Sequence, residues 1–396
     1  MKLPLAAALV LALSACKTVP DYGRALHPGA AALIPLAPGE KHPDFGAQWA
    51  EREDLLPAVD RSIEFLRRTS STRHFPVEGV THERALASLE RFRDLLAHAG
   101  SADALRRTLD AEFQVYKSAG WDGKGGGVLF TGYCTPILDG RLAKDATYRY
   151  PLYGLPPDLV KGPEGEILGR KTTSGMEPYP TRAAIEASAM LAGKDLELVW
   201  LKDPLDAFLA HVNGSAFIRL ESGDMRRLGY AGKNGRPYTS LGQELVKDGK
   251  LRKDEVSLAT IRRWAREHPA EITGYLARNE SYVFFAPIDG NPRGSLNVPV
   301  TAARSLATDK SLFPRASLVF VEGSVGSGAS SREFHRFLLD QDTGGAIRTA
   351  GRADVYLGIG DDAEKLAGST RVEGQLYYLF LKPGAKPEHE GAKPDA

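Results

Sequence analysis

The sequence predicts a mainly β fold with a block of helices at its N-terminal end. Apolar residues recur at helical spacing in three stretches between residues 48 and 117. Beyond Gly125-Gly126-Gly127 the pattern changes to short strand-like runs interrupted by Pro, Gly and Tyr. The 41 Gly and 25 Pro among 396 residues supply frequent turns and argue against long helical arrays.

The elements follow in chain order. Met1-Lys2-Leu3-Pro4 leads into an apolar run from Leu5 to Leu13, then Leu13-Ser14-Ala15-Cys16. One positive charge, a short apolar stretch and small residues before a cut form an export signal over residues 1–15. The run is too short to span a bilayer, which takes about 20 apolar residues. Leu-Ser-Ala-Cys resembles the lipobox of bacterial lipoproteins, in which the Cys is acylated. Cys16 is therefore the expected lipidation site, and outer-membrane lipid an expected partner. Lys17 follows it, where an Asp would resemble inner-membrane retention, so the periplasmic face of the outer membrane is the expected location. Residues 16–47, rich in Pro, Gly and Ala, read as a tether.

The first helix is expected from about Gln48 to Arg68, with Leu55, Val59, Ile63 and Leu66 on its apolar stripe. The second starts at a Thr81 N-cap and ends at Gly100. The third runs from Ser101 to about Lys117, with Leu105, Leu109, Phe113 and Tyr116 on one face. Val128 to Tyr133 reads as a strand. Thr181–Ala192 is a short helix, and Leu196–Leu201 alternates as a strand does. Asp203-Pro204 is an N-cap followed by Pro at the first helical position. Residues 215–245 read as strands joined by turns, one at Asn234-Gly235, and residues 255–277 as helical with Trp264 inward. Strand patterns return at Tyr282–Ala286, Ser317–Glu322, Phe334–Leu339 and Leu376–Leu381. The polar segment 384–396 is expected to be disordered.

Composition narrows function. Lys and Arg total 51 against 50 Asp and Glu. That balance lacks the basic stripe that nucleic-acid binding needs, so no nucleic-acid partner is expected. Two Cys, Cys16 and Cys134, exclude a disulfide scaffold and a Cys-rich metal site. The nine His show no metal-ligand spacing, and there is no Gly-x-Ser-x-Gly elbow and no Walker loop. No metal or cofactor is expected. Gly323-Ser324-Val325-Gly326-Ser327-Gly328 has the wrong spacing for a dinucleotide fingerprint and reads as a surface loop.

The densest polar segment runs from Leu338 to Tyr356. An apolar strand enters Asp342, Gly344 and Gly345 let the backbone turn or approach a ligand, and Asp354 opens a second strand. Paired carboxylates so placed can face one cleft, although both also fit turn caps, the reading spacing alone favours. Asp342-Thr343-Gly344 spells the aspartic-peptidase triplet, but that chemistry needs two such triplets, or a symmetric dimer, sharing a proton.

Leu129-Phe130-Thr131-Gly132-Tyr133-Cys134-Thr135-Pro136 resembles a segment of the membrane-bound lytic murein transglycosylase A family. His211-Val212-Asn213-Gly214-Ser215, Gly229 to Gly242, Ser281 to Phe285, Val300 to Ala307 and the Asp342-to-Asp354 segment match in the same order, so the resemblance covers about residues 125–382. It implies a double-psi β-barrel domain of residues 48–135 plus 281–383 with the N-terminal helices, and a second β-rich domain of residues 136–280 inserted between its halves. It also implies peptidoglycan glycan strands as substrate, cell-wall synthases as candidate protein partners, and a reaction without water. In that reaction the muramoyl C6 hydroxyl attacks its own C1 and leaves a 1,6-anhydro end.

A substrate that supplies its own nucleophile needs one carboxyl group, where a hydrolase needs two. The resemblance assigns that group to Asp354, as acid and then base. The acid must hold its proton, so apolar surroundings from Val355 and the barrel core are expected. Thr131, Tyr133, Asp342, Gly344, Gly345 and Asn213 are the implied substrate-binding residues, with Asp342 open to a turn-capping role. Arg348 reads equally as a ligand for a peptide-stem carboxylate or as a solvated surface charge. The chain departs from the family at Asn213 (usually Gln), Cys134 (usually aromatic) and Thr349 (usually Gly). A two-carboxylate hydrolase and a non-catalytic peptidoglycan-binding lipoprotein are the alternative readings.

Overall fold

The computed structural model describes residues 19–163, 166–328 and 331–384. The export signal, Cys16 and nearly all of the polar tail lie outside the described residues.

Six strands close a barrel in the order Arg371–Leu381, Leu318–Val325, Arg332–Asp342, Ser305–Ala307, Arg352–Ile359 and Val128–Thr135, which pairs back onto Arg371–Leu381. Two of the pairings are parallel, Ser305–Ala307 with Arg332–Asp342 and Arg352–Ile359 with Val128–Thr135. The remaining pairings are antiparallel. Aromatic and β-branched residues fill the strands, with Phe320, Phe337, Val355, Tyr378 and Phe380 almost wholly buried.

The helices Arg52–Arg67, His82–His98 and Ala102–Glu112 pack on the barrel. Phe92 meets Phe337 with ring centroids 4.9 Å apart, and Phe45 meets Phe320 at 5.2 Å. Thr81 caps as the sequence predicts, and Ser101 caps the third helix, each side chain accepting a backbone N–H of the first turn. The third helix is shorter than its spacing predicts. It ends at Glu112, and Phe113–Ser118 is a strand paired with Arg371–Leu381. Phe113 fits the helical stripe with Tyr116 and a period of two with Val115, and the open barrel strand supplies hydrogen bonds that a fourth helical turn could not.

The stretch read as a tether is also docked, at least from Ala32 onward. Leu33–Pro35 pairs with Tyr116–Ser118, and Ala32, Leu33, Leu36 and Phe45 are buried. Its apolar residues are few but each finds a core position, roughly 1.5–3 kcal/mol for each large one. Gly323 to Val325 completes the Leu318–Val325 strand, so only the end of that Gly-rich run is a turn.

A second, six-stranded sheet has the order Val283–Pro287, Met225–Lys233, Ala216–Arg219, Ile137–Arg141, Glu197–Leu201 and Tyr150–Tyr153. Val283–Pro287 belongs to this sheet, and the chain re-enters the barrel at Ser305 rather than at residue 281. Leu159–Lys161, Ile167–Thr172 and Gly175–Glu177 form a separate small sheet. The helix expected over 255–277 is two, Leu258–Glu267 and Ile272–Ala277, interrupted at His268-Pro269. Asn234-Gly235 makes no hairpin. The Asn234 amide nitrogen donates to the Pro180 and Glu280 carbonyls, both at 2.8 Å, and its oxygen accepts from the Tyr282 N–H at 2.9 Å. That buried knot takes the chain into a helix, Leu241–Lys247, capped by Ser240. Arg262 ties the two units together, reaching Asp206 at 2.6 Å and Glu364, on the barrel helix Asp361–Ser369, at 2.7 Å.

Candidate active site

The register of the parallel strands assembles the site. Asp354 lies beside Thr131, and Tyr356 beside Tyr133. On the other side Ala307 stands next to Asp354 and also next to Asp342. The two aspartates of the polar segment therefore occupy one rung, two strand spacings apart, which is about 10 Å between backbones.

The Thr131 hydroxyl donates to Asp354 Oδ1. Arg352, two residues earlier on the same face, sets its Nε 3.7 Å from that oxygen and its Nη2 3.5 Å from Thr131 Oγ1. The Asp354 side chain is 18% exposed. Among the described residues Oδ2 accepts no hydrogen bond, so one oxygen is held and the other is free. The expected apolar setting is absent. Val355 is fully buried, and neighbouring strand residues point to opposite faces, so Val355 packs in the core while Asp354 looks outward among polar groups.

Asp342 is the opposite case. Its Oδ1 accepts the Ser295 and Thr343 N–H groups, each at 2.8 Å, and its Oδ2 accepts the Tyr133 hydroxyl at 2.8 Å. Burial raises its pKa above the usual carboxylate range, and these three donors pull it back. Burial, and then Asp342 itself, push the Tyr133 hydroxyl well up, so it remains a donor. Tyr133 also packs on Tyr356 with centroids 5.2 Å apart.

The loop after Asp342 approaches the second unit. A Cβ on Gly345 would sit 3.1 Å from the Tyr238 Cβ, and one on Gly344 would sit 3.2 Å from Ile347. Tyr238 faces the barrel across this seam: burial raises its pKa, Arg352 lowers it and Asp354 adds a smaller upward push. Arg348 Nε donates to the Gly345 carbonyl at 3.2 Å. Thr349 donates to the Tyr22 carbonyl at 2.6 Å, so the departure from Gly is used to hold the N-terminal segment. Asn213 closes the helix Pro204–Asn213. Its amide nitrogen donates to the Leu209 carbonyl at 2.9 Å and its oxygen accepts the Cys134 N–H at 3.5 Å. It joins helix to strand rather than projecting both polar atoms toward a ligand. Cys134 is buried and its thiol is pushed up to about 12 by burial, which leaves it unreactive.

Thr131, Tyr133, Asp342, Gly344, Gly345 and Asp354 thus come together. Arg352 and Tyr238 also face the seam, and sequence reasoning gave them no role. Arg352 alone had a local signal, its i−2 position before Asp354 on a strand.

A 3D domain matches residues 304–380, and the MltA specific insert domain matches residues 129–286. The fold and the site therefore define a class, a 3D-domain barrel carrying the insert specific to one group of cell-wall proteins. Membrane-bound lytic murein transglycosylase A of Escherichia coli K12 is 33% identical over 266 residues, covering 66% of this chain and 67% of its own length. The Vibrio cholerae protein of the same name is 32% identical over 266 residues, covering 65% and 67%. The chain belongs to the membrane-bound lytic murein transglycosylase A family. Among solved structures, the membrane-bound lytic murein transglycosylase of Agrobacterium tumefaciens superposes with a TM-score of 0.75 at 27% identity over 88% of this chain and 98% of its own. E. coli MltA with bound chitohexaose gives 0.68 at 24% identity, over 89% and 96%.

Proposed function

We propose that this protein is a peptidoglycan lytic transglycosylase, with Asp354 as its single acid and base. Asp354 protonates the glycosidic oxygen as the bond from the muramoyl C1 to N-acetylglucosamine O4 breaks. The muramoyl C6 oxygen bonds to C1, and its proton passes to Asp354, restoring the acid. No water is consumed, and the product carries a 1,6-anhydro end. The observation that carries this reading is the contrast in hydrogen bonding: Asp354 has a free, reachable oxygen, whereas Asp342 has both oxygens engaged. Thr131 fixes the orientation of the acid. Asp342, through Tyr133 and the Ser295 N–H, orders the loop that bears Gly344 and Gly345.

A two-carboxylate hydrolase is less well supported, since Asp342 has no free oxygen for a nucleophile or for activating water. The lipobox-like start and the membrane-bound relatives support lipid anchorage through Cys16 on the periplasmic face of the outer membrane. Among the described residues no helix is long and apolar enough to cross a membrane. Digestion of purified sacculi followed by mass analysis of the muropeptides tests the reading. Anhydro-muramoyl ends are expected. New reducing ends would replace it with hydrolysis, and sacculus binding without soluble products would reduce the protein to a binder.

A further inference from the structure

Among the described residues, Arg141, Arg170, Arg182, Arg336 and Arg352 each carry a buried Nε with no hydrogen-bond partner. The first four hold a carboxylate through a terminal nitrogen instead, Asp145 at 2.5 Å, Glu177 at 3.2 Å, Glu186 at 3.1 Å and Glu51 at 3.3 Å. Arg352 does not. Its closest approach to a carboxylate among the described residues is Nε to Asp354 Oδ1, at 3.7 Å, beyond hydrogen-bond reach. Its Nη2 reaches the Thr131 hydroxyl at 3.5 Å, and that hydroxyl donates to the same Oδ1. The strands set all three on one face, with Arg352 two residues before Asp354 and Asp354 beside Thr131.

A buried N–H without a partner is costly, so its persistence here calls for a reason. The reaction supplies one, because the lone acid changes charge within each cycle. It is neutral until it protonates the glycosidic oxygen, and a carboxylate until the C6 hydroxyl returns a proton. A guanidinium bonded to Oδ1 from the outset would favour the charged form and dispossess the acid of its proton too early. One held just out of reach can close to the ~2.7–2.9 Å of a charge-assisted bond as the charge develops. Only a contact that strengthens in this way speeds the step.

We propose that Arg352 is a positioning residue that acts through Asp354. Its guanidinium steadies the Thr131 hydroxyl and closes on Oδ1 once the acid has given up its proton, holding the carboxylate until the muramoyl C6 hydroxyl restores it. The inference rests on Asp354 being the acid.

Turnover of soluble glycan strands, resolved into kcat and KM, tests this. R352M keeps the length of the side chain and removes its charge. It is expected to lower kcat about tenfold or more and to leave KM unchanged. R352K, which returns a cation to the same strand face, is expected to recover most of that rate. Calorimetric binding of uncleaved strands to D354N and to D354N/R352M should agree, since the contact forms after substrate binds. A normal kcat in R352M, an equal loss of kcat in R352M and R352K, or a rise in KM alone overturns the proposal. Weaker binding by D354N/R352M than by D354N also overturns it, by making Arg352 a ligand of the substrate. Urea unfolding checks that each variant is folded, and R352Q is read in place of R352M should the latter fold poorly. Failure of the reading of Asp354 shows separately, as near-normal turnover by D354N.

Discussion

The barrel holds two acid-centred clusters, and they differ in what remains unbonded. Asp340 is fully buried. It accepts the Thr308 hydroxyl at 2.8 Å and the Tyr378 hydroxyl at 2.9 Å, and it pairs with the buried Lys310 ammonium. Burial drives Asp340 up and Lys310 down, and their mutual contact opposes both shifts. Asp354, on a neighbouring face of the same barrel, has one hydroxyl donor, one cation in loose contact and an oxygen open to the seam. A saturated, sealed carboxylate maintains the fold. An unsaturated, reachable one has bonding capacity left for a substrate. The two aspartates of the 342–354 segment divide in the same way.

The largest expected effect breaks the comparison at its open end. Asp354→Asn removes the transferable proton and should lower turnover of sacculi by about 10²–10⁴. It should leave urea-unfolding stability within about 0.5 kcal/mol of the parent. Near-normal turnover would move the acid elsewhere. The sealed cluster should behave in the reverse manner. Lys310→Met strands a buried charge and should cost about 3–5 kcal/mol of stability, with activity falling only as the folded fraction falls. Adding Asp340→Leu should recover most of that loss, because an apolar replacement of both partners removes the stranded charge. A double variant as unstable as the single one would show that Asp340 serves more than its partner. Tyr133→Phe should have an intermediate effect. It takes one donor from Asp342 and should cost about 1–3 kcal/mol, read from unfolding curves.

Much of this contrast was invisible in the sequence. The N-caps at Thr81 and Asp203 were legible because capping is local chemistry between residues two or three apart. The polar segment from Asp342 to Asp354 was legible as a candidate site because its residues are contiguous. The partners that give each aspartate its character lie far away in the chain. Thr131 is 223 residues from Asp354 and Tyr133 is 209 from Asp342. The residues of those pairs were named through a resemblance, but their bonds depend on the register of barrel strands distant in the chain, which one sequence does not encode locally. The same limit explains Phe113–Ser118, whose apolar spacing fits two periods until a barrel strand chooses one. It also explains Asn234, whose hairpin signal yields to three distant backbone groups. Val355 shows a different failure. The apolar neighbour in sequence lies across the strand in space, a consequence of alternation that the sequence did contain.

The smallest expected effect concerns the pH dependence of Asp342 and sharpens its place between the two extremes. Burial raises its folded pKa above the ordinary unfolded value of about 4. Between those two values the folded protein holds more protons than the unfolded chain. Stability should therefore be greatest below the unfolded value and decline as pH rises through the folded one. The three donors on Asp342 oppose burial, so the slope should be shallow. Tyr133→Phe removes one of those donors and should steepen the decline and carry it to higher pH. Asp342→Asn, which has nothing to titrate, should abolish this contribution. Unfolding free energies of the parent and both variants, measured at intervals from about pH 4 to 7, separate these outcomes. A Tyr133→Phe profile parallel to that of the parent would mean that the hydroxyl does not govern the charge of Asp342. The loop carrying Gly344 and Gly345 would then be ordered by the Ser295 and Thr343 N–H groups alone.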